Sequence, residues 1–116
     1  PSLLEKGCYF SPTLFELNSM KQLEKEVFGP ILHVIRFKGD ELDQVIHAIN
    51  ETKFGLTLGI HSRINSTIDY ICSRVKVGNI YVNRNMIGAV VGVQPFGGEG
   101  LSGTGPKAGG PHYLLR

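Results

Sequence analysis

The chain has 116 residues, 12 Lys+Arg against 10 Asp+Glu, and a formal net charge of +2. Its 41% hydrophobic and 19% charged residues fit a globular chain of one domain or a piece of a larger one, not a disordered one. The near-neutral balance argues against a nucleic-acid binder, no apolar run approaches the ~20 residues of a membrane helix, and no signal peptide is visible.

Residues 8–17 (CYFSPTLFEL) are apolar and β-prone, interrupted by Pro12, and read as one extended segment or two short strands. Residues 19–27 carry a helix pattern: Ser19 and Gln22 form a capping-box pair, and Met20, Leu23 and Val27 share one face. Gly29-Pro30 stops it. Residues 31–37 (ILHVIRF) are a β-branched run of strand length. Asp40 is a candidate N-cap for a helix over about 41–52, with Leu42, Val45, Ile46 and Ile49 as its apolar stripe. Phe54-Gly55 breaks that helix, and 56–61 (LTLGIH) is the next strand. A second helix over about 66–76 follows, with Ser66 and Asp69 as a capping box and Ile68, Ile71, Cys72 and Val75 as its stripe. Gly78 ends it, and 79–83 (NIYVN) is a further strand.

The order is β-α-β-α-β, an α/β class. Strands joined by helices of this length are expected to be parallel neighbours with right-handed crossovers. Such a layer needs cover on both faces. Two helices leave one face bare, so the chain is expected to be part of a bigger domain.

After residue 83 the composition changes. Ten of the 15 glycines lie between Gly78 and Gly110, and from Gly88 to Pro111 the only charges are Glu99 and Lys107. Residues 1–83 are thus a periodic part and 84–116 a glycine-rich one. Gly98, Gly100 and Gly103 match G-x-G-x-x-G, but Pro106, Gly109, Gly110 and Pro111 forbid the helix a dinucleotide loop must open. A long, nearly uncharged, partly apolar segment reads either as a flexible tail or, favoured by its apolar residues, as backbone brought close to something else, lining a pocket. Cys8 and Cys72 have no CxxC spacing; one long-range disulfide between them is open, but they read rather as buried free thiols. His33, His47, His61 and His112 lack ligand spacing, so no metal site is predicted.

Two segments carry a resemblance. Glu26-Val27-Phe28-Gly29-Pro30 resembles the E-x-F-G-P motif of the aldehyde dehydrogenase superfamily. Gln94-Pro95-Phe96-Gly97-Gly98, with Ser102-Gly103 after it, resembles that superfamily's P-F-G-G segment. The stretch 78–116, with Arg84-Asn85-Met86-Ile87-Gly88-Ala89-Val90-Val91-Gly92, is most similar to the glutamate-semialdehyde (1-pyrroline-5-carboxylate) dehydrogenase branch, in the form found in bifunctional bacterial proline-catabolic enzymes. The resemblance covers essentially the whole chain.

The resemblance implies NAD-dependent oxidation of L-glutamate γ-semialdehyde to glutamate. It implies that Glu26 binds the nicotinamide-ribose hydroxyls and that Phe28 packs beside that ribose. It implies that the amides of Gly88 and Ala89 hold the substrate α-carboxylate and that Phe96 packs on the substrate's aliphatic part. The family's nucleophilic cysteine has a context that Gly7-Cys8-Tyr9 lacks, so neither cysteine here is expected to be catalytic. The implied partners are a small aldehyde, the rest of a parent enzyme, and a second copy in a homodimer or higher oligomer. The implied setting is bacterial cytoplasm, with room for membrane association through a proline dehydrogenase domain. The chain is expected to be a catalytic-domain fragment, inactive alone. The competing expectation is a non-catalytic ligand-binding or assembly module that kept the loop and lost the chemistry.

Overall fold

The computed structural model describes residues 7–88, 90 and 92–115. The chain falls into two units, Pro1–Gly39 and Asp40–Arg116.

In the first unit, β1 (Thr13–Leu17) and β2 (Ile31–Ile35) pair in parallel, with Thr13 opposite Ile31 and Leu17 opposite Ile35. A parallel pair needs a crossover of about a dozen residues, and residues 18–30 provide it. The opposed Phe15 and His33 rings stack with centroids 6.1 Å apart. Arg36 Nε lies 2.7 Å from Glu16 Oε1, an exposed ion pair of little energetic weight.

The helix expected over 19–27 is a single 3-10 turn, Met20–Gln22. Its capping box does form: Ser19 Oγ accepts from the Lys21 amide at 3.2 Å, and Gln22 Oε1 accepts from the Ser19 amide at 3.3 Å. Short helices are marginal unless an apolar face is packed, and here Val27 stays 45% exposed. The cap therefore closes one turn and goes no further.

A 3-10 turn at Gly39–Glu41 precedes α1 (Leu42–Glu51), the first helix of the second unit. Asp40 lies inside that turn, so Glu41 takes the N-cap position, and its side chain does not cap the helix. β3 (Phe54–Gly55), β4 (Thr57–Ile60), α2 (Asn65–Cys72), β5 (Asn79–Val82) and β6 (Glu99–Gly100) follow. α2 begins one residue earlier than predicted, with Ile64 as N-cap, so Ser66 forms no cap; Ser62 Oγ instead accepts from the Ile64 amide at 3.1 Å. α2 is also shorter than the predicted 66–76, and the chain leaves it through turns after Cys72.

β4 and β5 are parallel, with Thr57 opposite Asn79 and Ile60 opposite Val82, as the β-α-β pattern predicts. The expected layer also included β2, which belongs to the first unit. β2 has its ladder with β1, and β4 and β5 have theirs within the second unit. Periodicity marks strands but does not say which edges meet, and the 8–17 segment offered β2 an edge that the pattern had left aside. Phe54-Gly55, expected only to break a helix, is β3 and pairs antiparallel with β6.

The core of the second unit is small: Ile46 of α1, Ile60 of β4 and Tyr81 of β5 are each 5% exposed. The remaining stripe residues of both helices are half-buried. Asparagines replace missing backbone partners around this core. Asn50 Nδ2 donates to the Arg74 carbonyl at 2.9 Å, while its Oδ1 accepts from the Lys76 amide at 2.8 Å. Asn83 does the same for Ser62, at 2.9 and 3.0 Å.

The Tyr70 hydroxyl of α2 donates to the Asp43 carboxylate of α1, and the Arg74 guanidinium lies 3.6 Å from the Tyr70 ring centroid. That hydrogen bond to Asp43, chiefly, raises the phenol above its ordinary value, with Arg74 acting against it. A phenol favoured in its neutral form by folding contributes stability below its unfolded value. It loses that contribution as pH rises through the higher folded one. Tyr70→Phe should therefore remove a small alkaline loss of stability. Denaturation midpoints of both proteins across alkaline pH check this, and parallel curves would show that the contact carries no linkage.

Candidate functional site

The second unit gathers the chemistry-bearing residues around β5. A ladder strand is a rigid base, and Tyr81 sits on it opposite Gly59. Its hydroxyl donates to the Gly88 carbonyl at 3.0 Å and accepts from Gln94 Nε2 at 2.6 Å. Gly88 has φ +56, and a Cβ there would meet nothing within 4 Å, so the position opens outward. The Arg84 guanidinium lies 5.0 Å from the Tyr81 ring centroid.

Phe96 is held from both sides. The amide of Asn79 donates through Nδ2 to the Pro95 carbonyl at 3.1 Å and accepts through Oδ1 from the Gly97 amide at 3.2 Å. Phe96 also exchanges two backbone bonds with Ala108, at 3.0 and 2.9 Å. Lys107 Nζ donates to the Gly78 carbonyl. A cavity of about 360 Å³ lies beside this clip, walled by Val90, Val93, Pro95 and Phe96, with Gln94 as its polar side chain. Apolar walls with few polar groups, at this volume, suit a small molecule with an aliphatic body.

The glycines of 97–103 are spent on backbone contact. A Cβ on Gly78 would lie 1.8 Å from the Gly97 carbonyl oxygen, and one on Gly103 would lie 2.2 Å from that of Gly98. The Gly98–Gly103 match opens no helix: it runs through β6 and a turn, and the Leu101 amide donates to the Lys53 carbonyl at 2.8 Å.

Glu26 and Phe28 belong to the first unit. Phe28 is 85% exposed and Glu26 is exposed, with no hydrogen bond or ion pair among the described residues. Ala89 lies outside the described residues. Cys8 and Cys72 are free thiols, but Cys8 is exposed and Cys72 only half-buried, so the expected burial of both does not hold. Among the described residues no group of three or more His, Cys, Asp or Glu could hold a metal ion. None of the described helices is long and apolar enough to cross a membrane.

Sequence reading singled out Gly88 and Phe96 but missed Asn79, Tyr81 and Gln94, which hold them. One signal was present. Asparagine is depleted in strands, and Asn79 at the head of NIYVN is unexplained unless its amide has a local task.

The sequence profile of the Aldehyde dehydrogenase family matches residues 1–116. The chain belongs to the aldehyde dehydrogenase family. Within that family it is 64% identical over 110 residues to the bifunctional protein PutA of Klebsiella aerogenes, covering 95% of this chain and 8% of that protein. It is 38% identical over 112 residues to the 1-pyrroline-5-carboxylate dehydrogenase of Bacillus subtilis, covering 95% of this chain and 21% of that protein. A crystal structure of a mutant of proline utilization A from Bradyrhizobium japonicum superposes with a TM-score of 0.89 at 67% identity, over 94% of this chain and 11% of that one. A 1-pyrroline-5-carboxylate dehydrogenase from Thermus with bound NAD superposes with a TM-score of 0.80 at 42% identity, over 90% of this chain and 20% of that one. The chain thus spans about a tenth of the proline utilization relatives and about a fifth of the monofunctional dehydrogenases.

Proposed function

We propose that this aldehyde dehydrogenase segment serves an enzyme of proline catabolism that oxidises L-glutamate γ-semialdehyde to L-glutamate with NAD. It would supply part of the cofactor site and of the substrate site. The observation that carries this is 64% identity to a PutA protein along nearly the whole chain, together with the likeness to dehydrogenases named for the same substrate. The nucleophile and the remainder of the cofactor site would lie elsewhere in the full-length enzyme.

On this reading Glu26 and Phe28 face the cofactor. The residues fit the group: Glu26 offers an exposed carboxylate with no competing partner among the described residues, and Phe28 offers an exposed ring. A carboxylate can accept from two neighbouring hydroxyls of a ribose, and the ring can cover that sugar's apolar side. NAD, when bound, accepts the hydride. Gly88 and Ala89 would hold the substrate carboxylate through backbone amides, because glycine lets backbone come close to a ligand. Phe96, clipped by Asn79 and Ala108, would pack against the substrate's methylenes.

The direct test is steady-state NAD reduction by the full-length enzyme with 1-pyrroline-5-carboxylate and with a short aldehyde that lacks a carboxylate. A clear preference for the first is expected, and equal kcat/KM would leave only an aldehyde dehydrogenase of other specificity. Glu26→Gln keeps the shape and removes the charge. Loss of charge-assisted bonds worth roughly 1.5–3 kcal/mol should weaken NAD binding or slow hydride transfer at least about tenfold. Alkylation of the nucleophilic thiol should continue at its normal rate. Unchanged cofactor kinetics would make Glu26 an ordinary solvated residue.

A further inference from the structure

We propose that Tyr81 is a positioning residue for the Gly88 loop, acting through its hydroxyl and set in turn by Gln94. The inference rests on the reading of Gly88 as part of the carboxylate anchor. Tyr81 is 5% exposed, and its backbone is fixed in the parallel ladder opposite Gly59. Its hydroxyl therefore starts from a rigid element. It donates to the Gly88 carbonyl at 3.0 Å and accepts from Gln94 Nε2 at 2.6 Å, so its rotor has one proton direction left.

The Gly88 carbonyl needs such a hold. Other hydrogen bonds of residues 84–93 among those described are local: the Ile87 amide to Asn85 Oδ1 at 3.4 Å, and the Val93 amide to the Val90 carbonyl at 3.0 Å. The bond from Tyr81 ties the Gly88 segment to the ladder. Gly88 itself has φ +56, and a Cβ there would meet nothing within 4 Å. Peptide groups are planar, so a hold on the carbonyl oxygen restrains the peptide unit that carries it. A preorganised amide loop binds a carboxylate more tightly than one that must be ordered first. Gln94 also lines the cavity beside Phe96, so the same side chain that orients the Tyr81 hydroxyl faces the space proposed for substrate.

The test is Tyr81→Phe in the full-length enzyme, which keeps the ring and removes one oxygen. Losing one neutral hydrogen bond corresponds to about a fivefold change. The KM for glutamate semialdehyde should rise about fivefold with kcat within about twofold, and inhibition by glutarate, a dicarboxylate probe, should weaken about fivefold. The KM for propanal and the thermal midpoint should stay near wild type. Equal losses for both aldehydes, a lowered midpoint with unselective losses, or no change in either KM or glutarate binding would each overturn the role. Gly88→Val on the same substrates separates the two readings. If it is selective while Tyr81→Phe is not, only the Tyr81 role falls; if Gly88→Val is itself unselective, both fall.

Discussion

Replacing Gly78 with alanine is expected to destabilise the second unit by about 3 kcal/mol, the upper range for overpacking a tight site. The added Cβ would lie 1.8 Å from the Gly97 carbonyl oxygen and 2.8 Å from Gly98 Cα. Both are backbone atoms, so no side chain can swing away. The neighbouring chain cannot retreat freely either. Asn79 grips Pro95 and Gly97, the Gly78 amide donates to the Gly55 carbonyl at 3.0 Å, and Lys107 holds the Gly78 carbonyl. Relief would require breaking that clip, which also positions Phe96. Gly39→Ala is the control, because a Cβ there meets nothing within 4 Å, and surface changes of this kind stay within about 0.5 kcal/mol. Chemical denaturation of both variants of the full-length enzyme, followed with activity, checks this. Equal stability of the two would mean that β5 and the 97–98 backbone do not need to meet so closely.

The second large effect is expected at Gly88. Gly88→Val places a β-branched side chain at φ +56, a region that costs an L-residue about 1–2 kcal/mol. It also puts bulk into open space where the carboxylate is proposed to approach. A site built to pair with a charged group discriminates strongly against ligands lacking it, because its donors are then left bare. The KM for glutamate semialdehyde should therefore rise by about tenfold or more, while a short aldehyde without a carboxylate loses no more than about threefold. The preference between the two substrates should shrink accordingly. Steady-state kinetics with both aldehydes read this out, and an equal loss would reduce the loop to a structural role.

The parts of the candidate site differed in how readable they were. Gly88, Phe96, Glu26 and Phe28 stood out because they belong to motifs. The residues that hold the first two did not, because their tasks are contacts across the fold. Tyr81 looks like any strand aromatic until its hydroxyl is seen between Gly88 and Gln94. Ser102, carried in the motif as a bare S-G spacing, accepts from the Gly55 amide at 3.1 Å and helps seat the glycine-rich strand on β3. The helix expected at 19–27 failed for the opposite reason. Its local signals were present and its cap formed, but no packing surface rewarded the next turn.

By itself the sequence determined both helices of the second unit in outline and the strands β4 and β5. The apolar stripes of 42–49 and 68–72 and the β-branched runs at 57–60 and 79–82 each describe one face or one strand, which local spacing can encode. The parallel pairing of β4 with β5 followed too, because a helix of α2's length between them leaves little choice. Only the tertiary structure decided that β2 pairs with β1 and that Phe54-Gly55 receives Glu99-Gly100. Those ladders are made of backbone hydrogen bonds, which every residue but proline can offer. Their partners are chosen by which segments can be brought together without a clash. At Gly55, Gly78, Gly98 and Gly103 that choice depends on the absence of a Cβ against a backbone distant in sequence or across a turn.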